Sequence, residues 1–454
     1  MMRILRLPLG SNRHWPRIFV DCTQTAACPV STGIPRVVRN IIAFGAKAAR
    51  ERGVELVPVR FQHGEFRLVA TMSVGGLVSP SSPRQHPLAT RLRKILVPRT
   101  LVRNMSKLSG WFPPDQPPCA AVTFAAGDVL LLPDSSWAED MWAAVDRARQ
   151  AGVALGVVQH DFIPIRHPEL VPPKSTKIFR KWMEATLGRA DFVMAVSQSV
   201  AAETRAELLR LGRAEVARCG VSSFRNGADF LDEADVQPPV AFRRSAAIRQ
   251  SLVDFLHGGT AAPYLTVGTI EPRKNQALLL QAIDRVRAEA PDARFLLAGL
   301  IGWEGQLVVD ALRNHAAWGH AILHIPDLDD AELKYAYRHA RALVFPSLAE
   351  GYGLPIVEAF SRNLRVFAAD IPVHREIGGG SCVYFDPHDP GQLADLLIAF
   401  SRSGRFAAAW PPRRSALPTW AEAAEQIVAT ALKHAQLPLP IPVPQPAWQL
   451  RAAG

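Results

Sequence analysis

The chain has 454 residues, too many for one ordinary hydrophobic core, so two domains are the starting expectation. Hydrophobic residues make up 48% and charged residues 20%, which excludes a disordered chain, and no apolar run reaches the roughly 18 residues of a membrane span. The formal net charge of +11 predicts an anionic partner; nucleic acid, anionic lipid and phosphorylated substrate all fit at that level.

Taken in chain order, the first fifteen residues carry arginines but no apolar h-region, which argues against a secretory signal. "RIFVD" (17–21) is a strand candidate that leads through a glycine-containing loop into "PRVVRNIIAFGAKAARERG". There Val38, Ile41, Ile42 and Ala49 share one helical face. "VELVPVRF" (54–61), "DVLLLPD" (128–134), "VALGVVQHD" (153–161) and "DFVMAVS" (191–197) continue a first strand series. After a polar stretch near 225–250 comes a second: "PYLTVGTI" (263–270), "ARFLLAGL" (293–300), "AILHIP" (321–326), "RALVFPS" (341–347), "LRVFAAD" (364–370) and "SCVYFD" (381–386). Near-continuous apolar strands alternating with helices predict parallel sheets covered on both faces. Two series therefore predict two doubly wound α/β domains with a boundary near 240–260, and a ligand in the cleft between them.

"PTWAEAAEQIVATALKHA" (418–435) reads as a helix, with Thr419 and Glu422 at capping-box spacing. Prolines at 438, 440, 442, 444 and 446 then forbid helix and central strand. Cys22, Cys28, Cys119, Cys219 and Cys382 are dispersed without a C-x-x-C pair, the pattern of reduced thiols in a cytoplasmic chain.

Two stretches carry chemistry. In "TVGTIEPRKNQALLLQAIDRV" (266–286) a strand ends at Gly268, Pro272 breaks the path, and a helix is expected from Lys274 or Asn275. Arg273 and Lys274 then crowd a helix N-terminus that already favours an anion, an arrangement a diphosphate would compensate. In "PSLAEGYGLPIVEAF" (346–360), Gly351 and Gly353 permit a close backbone approach between strand and helix. Glu350 and Glu358, eight positions apart, are placed to accept from the vicinal hydroxyls of a sugar.

Together these stretches resemble the donor half of retaining, family-four glycosyltransferases of the two-domain GT-B type, over roughly 263–390. The resemblance implies that Arg273 and Lys274 bind a nucleotide-sugar diphosphate. Glu350 would hold a donor-sugar hydroxyl beside the backbone of Gly351, Tyr352, Gly353 and Leu354, and Glu358 would accept from the ribose. Gly268 joins the donor site, as does Leu328 in the loop matched to the nucleotide base. "FVDCTQTAACPVSTGIPRVVRN" (19–40) resembles the acceptor-domain loop, with Thr32 and Gly33 reaching the phosphates and Arg36 toward the acceptor. "VVQHDFIPIRHPEL" (157–170) resembles the H-D segment of bacterial polysaccharide mannosyl- and rhamnosyltransferases. It puts His160 near the reacting sugar and Asp161 at the acceptor. Where the family has A-x-G-x-P, this chain departs with Ser361-Arg362-Asn363-Leu364-Arg365.

The resulting expectation is an acceptor domain over 1–250 and a nucleotide-sugar domain over 251–415. Residues 416–454 would add a helix packing back on the first domain and a Pro-rich tail. Catalytic residues would be His160, Arg273, Lys274 and Glu350. The donor would be a nucleotide sugar, GDP-mannose ahead of UDP- or dTDP-sugars, with an oligosaccharide or lipid-linked acceptor. No cofactor, metal or nucleic acid is expected; Asp327-Leu328-Asp329 has a metal-binding D-x-D form but falls in the nucleotide-base loop. Phe66 to Pro114 contains no acid but includes Arg91, Arg93, Lys94 and Arg99 among apolar residues, a pattern suited to peripheral contact with the inner face of the cytoplasmic membrane. A non-catalytic sugar-nucleotide or polysaccharide binder and a GT-B epimerase are the alternatives.

Overall fold

In the computed structural model of this chain the described residues are 16–28, 33–69, 72–74, 120–230, 240–242 and 247–435. Thr32, the basic stretch from 75 to 114 and the proline-rich tail lie outside them.

The first half forms β1 (Arg17–Asp21), β2 (Glu55–Gln62), β3 (Glu65–Leu68), β4 (Met72–Val74), β5 (Val129–Leu132), β6 (Ala154–Gln159), β7 (Phe192–Ala195), β8 (Val221–Ser223) and β9 (Val240–Phe242), with the predicted apolar runs at β1, β2, β5, β6 and β7. Seven of them make a sheet in the order β3-β2-β1-β5-β6-β7-β8, and β4 pairs separately with β9. Every pairing in the large sheet is parallel except β2 with β3. That hairpin is absent from the sequence expectation, which ended the strand at Phe61. The chain turns at His63 (φ 54°) and Gly64 (φ 79°).

The second half forms β10 (Tyr264–Val267), β11 (Phe295–Ala298), β12 (Ile322–Ile325), β13 (Ala342–Phe345), β14 (Val366–Ala369) and β15 (Cys382–Phe385). They assemble as β12-β11-β10-β13-β14-β15, all parallel. Their interiors are almost entirely buried, as a sheet covered by helices on both faces requires. In each sheet the strand order reverses once at its centre, between β1 and β5 and between β10 and β13. Loops leaving adjacent strands diverge at such a point, which opens a crevice at the strand carboxyl ends.

The helix Trp420–Ala435 returns to the first sheet's unit. Its capping box is present: the Glu422 amide donates to Thr419 Oγ1 at 3.2 Å, and the Thr419 amide to Glu422 Oε2 at 2.8 Å. Trp420, Ala424, Ile427, Val428 and Ala431 are buried along one face, each large aliphatic side chain contributing about 1.5–3 kcal/mol. Val428 packs near Gly45 of the helix Ile34–Glu51, Arg52 pairs with Glu425, and the Trp420 amide donates to Asp229 Oδ1 at 2.8 Å.

At the departure over 361–365 the chain turns left-handed at one residue. Asn363, where a glycine is usual, adopts φ 57° just after the helix Leu354–Ser361, and asparagine is among the few L-residues that tolerate this conformation. Arg365, in place of proline, lies over the Trp410 ring at 4.3 Å.

Candidate active site

The carboxyl ends of the two sheets face each other across a cleft of about 530 Å³, within the range of small-ligand sites. Its lining includes Gly33, Arg36, His160, Asp161, Gly268, Arg273, Lys274, Leu328, Glu350, Gly351, Tyr352, Gly353, Leu354 and Glu358. The fold thus brings together the donor, acceptor and catalytic candidates of the sequence that fall among the described residues.

Arg273 and Lys274 follow β10, and Glu350 follows the adjacent β13, so the switch point itself sets them side by side. The helix expected at Lys274 starts later. Pro272–Lys274 form a 3-10 turn, Asn275 turns left-handed at φ 54°, and the α-helix begins at Gln276. The Asn275 side chain locks this turn to the neighbouring loops by donating to the carbonyls of Pro346 (3.2 Å) and Pro387 (2.8 Å). The two cations therefore project from a rigid turn ahead of the helix. Lys274 Nζ lies 2.5 Å from Glu350 Oε1, and Arg273 Nη1 donates to Glu350 Oε2 at 3.0 Å. Arg273 Nη2 donates to Glu271 at 2.7 Å. Burial pushes the Glu350 carboxyl up, but Lys274 and Arg273 more than reverse that and hold it at about 2. Burial lowers the pKa of the Lys274 ammonium, against the pull of Glu350. Gly268 (φ 143°) leaves room for the Lys274 stem, which would sit 3.4 Å from a Cβ there.

Glu358 is buried on the helix Leu354–Ser361. It accepts from Arg36 Nη1 at 2.5 Å and from Tyr337 Oη at 2.8 Å. Arg36 Nη2 reaches Asp330 at 2.5 Å. Burial would lower the Arg36 pKa, yet Asp330 and Glu358 raise it overall. Arg36, which the resemblance gave to the acceptor, thus stands on carboxylates of the second unit.

On the opposite wall, His160 Nε2 lies 2.7 Å from the Pro133 carbonyl, which places the hydrogen on Nε2 and leaves Nδ1 as acceptor. Burial lowers its pKa. Asp161 accepts from the Ile163 amide at 3.0 Å, and burial raises its pKa against the opposing pull of Arg273. Trp137, Ser175 and Asn226 also line the cleft, and the Asn226 Oδ1 is buried without a hydrogen-bond partner. Sequence reasoning missed Trp137 and Asp330: neither belongs to a recognisable spacing, and only the fold carries them to the cleft. Tyr337, two helical turns beyond Asp330, likewise gives no sign in the sequence that it will meet Glu358.

Beside this wall two acids leave adjacent strands. Asp21 accepts from the Thr23 amide (3.1 Å), Thr23 Oγ1 (2.5 Å) and Ser136 Oγ (2.8 Å), while Asp134 accepts from Thr25. Burial and the nearby Asp134 push Asp21 up from 3.8 to about 7. A raised carboxyl stabilises the fold below its unfolded pKa and loses that contribution as pH rises through its folded one. Wild-type stability should therefore fall between about pH 4 and 7 by on the order of a few kcal/mol from this group. In Asp21→Asn the amide can accept from Thr23 and donate to Ser136, so urea midpoints against pH should flatten over that window. A slope equal to the wild type's would show that Asp21 does not titrate there.

The cleft does not concentrate the chain's positive charge. Arg36, Arg273 and Lys274 line it together with Asp161, Glu271, Asp327, Asp330, Glu350 and Glu358. Attraction of an anion must come from placed cations and backbone amides, not from a basic field. Asp327 pairs with Arg249 at 2.8 Å and Asp329 caps the helix Asp330–His339, so both acids of the D-x-D serve the fold. Among the described residues no group of three or more His, Cys, Asp or Glu is placed to hold a metal ion, and no helix is long and apolar enough to cross a membrane.

Residues 255–413 match the family described as glycosyl transferases group 1. The serotype-specific mannosyltransferase WbdA of Escherichia coli is 28% identical over 387 residues, covering 84% of this chain and 41% of its own length. The chain thus spans about two-fifths of that relative. Sucrose-phosphate synthase from Thermosynechococcus elongatus superposes with a TM-score of 0.53 at 16% identity, over 97% of this chain and 100% of its own. HepE from Anabaena, solved with UDP and glucose, gives 0.52 at 15% identity, over 93% and 98% of the two chains. Two facing parallel-sheet units of GT-B type make up this chain, and the second of them carries the match to glycosyl transferases group 1.

Proposed function

We propose that this chain is a retaining glycosyltransferase. It moves a hexose, mannose foremost, from a nucleoside-diphosphate sugar to an oligosaccharide or lipid-linked acceptor of a surface polysaccharide. The observation that carries this reading is the buried cluster of Lys274, Arg273 and Glu350 at the second sheet's switch point, facing His160 and Asp161 of the first unit. The mannosyltransferase relative supports mannose, and GDP-mannose is the donor we favour over UDP- or dTDP-sugars.

In this reading the bond from the sugar's anomeric carbon to the diphosphate breaks as Arg273 and Lys274 stabilise charge developing on the departing oxygens. The acceptor hydroxyl, held on the same face, forms the new bond and passes its proton to the leaving diphosphate. Glu350, kept ionised by the two cations, aims them and accepts from a sugar hydroxyl. His160 Nδ1 is an acceptor near the reacting sugar. Glu358 accepts from the ribose. The chemistry needs no metal when side-chain cations do this work.

Turnover of GDP-mannose, UDP-sugars and dTDP-sugars against oligosaccharide and lipid-linked acceptors tests the proposal, with the anomeric configuration read by NMR. Donor binding without turnover would make the chain a binder, and an inverted product would remove the retaining step. Glu358→Ala should weaken donor binding roughly tenfold to a hundredfold, since ribose hydroxyls lose a charged partner. An unchanged dissociation constant by calorimetry would take Glu358 out of the site.

A further inference from the structure

The guanidinium of Arg36 stands on the first unit and serves the second. Its helix, Ile34–Glu51, packs under the first sheet, yet Nη1 and Nη2 each lie 2.5 Å from carboxylates beyond the cleft, Glu358 and Asp330. Phe230 lies against the guanidinium at 5.0 Å, so the fork is held from its face as well as from its edge. Glu358 is thereby fixed at both oxygens, by Arg36 on Oε1 and by Tyr337 on Oε2. An ionised carboxylate has about four acceptor positions, two on each oxygen. One is used on each, so each oxygen keeps one, and both Arg36 and Glu358 border the cleft. Two acceptor positions in one fixed plane suit a vicinal diol.

We propose that Arg36 is a positioning residue that orients Glu358 for the paired hydroxyls of the donor's ribose. Because it stands on the opposite unit, it also makes ribose recognition depend on the two units being together. The inference rests on the reading of Glu358 as the ribose residue, and it gives Arg36 a donor role in place of an acceptor one.

The test compares GDP with 2′,3′-dideoxy-GDP, and UDP with its dideoxy analogue, by calorimetry on the full chain. Wild type should prefer the ribose form by about tenfold or more. Arg36→Met should bring that ratio to within about threefold while the dideoxy affinity changes little. A merely structural role would weaken both forms by one common factor and keep the ratio, which would overturn the proposal. Arg36→Lys, a point charge without the planar fork that fixes orientation, should give an intermediate ratio. If Arg36→Met does not melt cooperatively, the lysine variant decides, and a wild-type ratio there overturns the proposal too. A wild type that does not discriminate, or that binds neither diphosphate, sinks the reading of Glu358 itself, a distinct failure that takes this inference with it.

Discussion

Replacing Lys274 by alanine is expected to lower kcat by about 10²–10³, with a smaller change in KM, under the proposed transfer. Lys274 Nζ is held 2.5 Å from Glu350 in a turn whose backbone is fixed by Asn275, so the cation is preorganised and costs little to place. Its side chain is only 12% exposed, where a charge interaction is strengthened by the exclusion of water. Charge on the diphosphate grows only as the sugar leaves, so the loss should fall on the transition state. Arg273 should behave alike, although its second bond to Glu271 divides its charge between two acids. Removing Lys274 also strips Glu350 of one buried partner, a change that can cost about 3–5 kcal/mol of stability, so melting curves must accompany the kinetics. Single-turnover rates read the chemical step directly. If only KM rises, the contact is ground-state binding and the electrostatic role is wrong.

Most of the sheet content was legible because parallel strands buried on both faces must be apolar along their whole length. "RALVFPS" and "LRVFAAD" are unmistakable on that ground, and they become β13 and β14. The hairpin β2–β3 was not, because its turn at His63 and Gly64 lies among residues with no apolar run to announce it. Val221–Ser223 is three residues long and reads as loop for the same reason. The candidate site was legible where its residues lie in the loops leaving strand carboxyl ends, as Gly268, Arg273, Lys274 and Glu350 do. The reach of Arg36 to Glu358 and Asp330 was not legible, because local sequence cannot report which side of a cleft a long side chain reaches. Gly351 was read as making room for a ligand; it lines the cleft, and it also makes room for the other half of the protein.

Gly351→Ala is therefore expected to separate the two halves of the site without unfolding either. A Cβ at this position would lie 1.8 Å from the His160 carbonyl oxygen and 3.1 Å from the Asp161 Cβ. His160 follows a central strand and cannot retreat easily, and the bonds that tie the Gly351 loop to the first unit would break as the overlap is relieved. Ser197 Oγ donates to the Gly351 carbonyl at 2.8 Å, and Tyr352 Oη to the Asn226 carbonyl at 3.0 Å. Relief of the overlap requires the units to move apart by about 1 Å or more, given ordinary van der Waals separations. A displacement of that size between His160 and the Lys274–Glu350 cluster should cost about 10² in transfer rate. Donor affinity should fall much less, because Arg273, Lys274 and Glu350 all stay on one unit. Gly353→Ala provides the contrast. At φ 95° an alanine there is strained by about 1–2 kcal/mol, yet the atoms nearest a Cβ belong to Ile356, His374 and Phe345 of its own unit, at 3.5–3.6 Å. Gly353→Ala should thus lower the melting temperature with the solution dimensions unchanged, whereas Gly351→Ala should raise the radius of gyration in small-angle scattering. A Gly351→Ala enzyme that keeps wild-type single-turnover rates would mean that contact between the units at His160 is not needed for transfer.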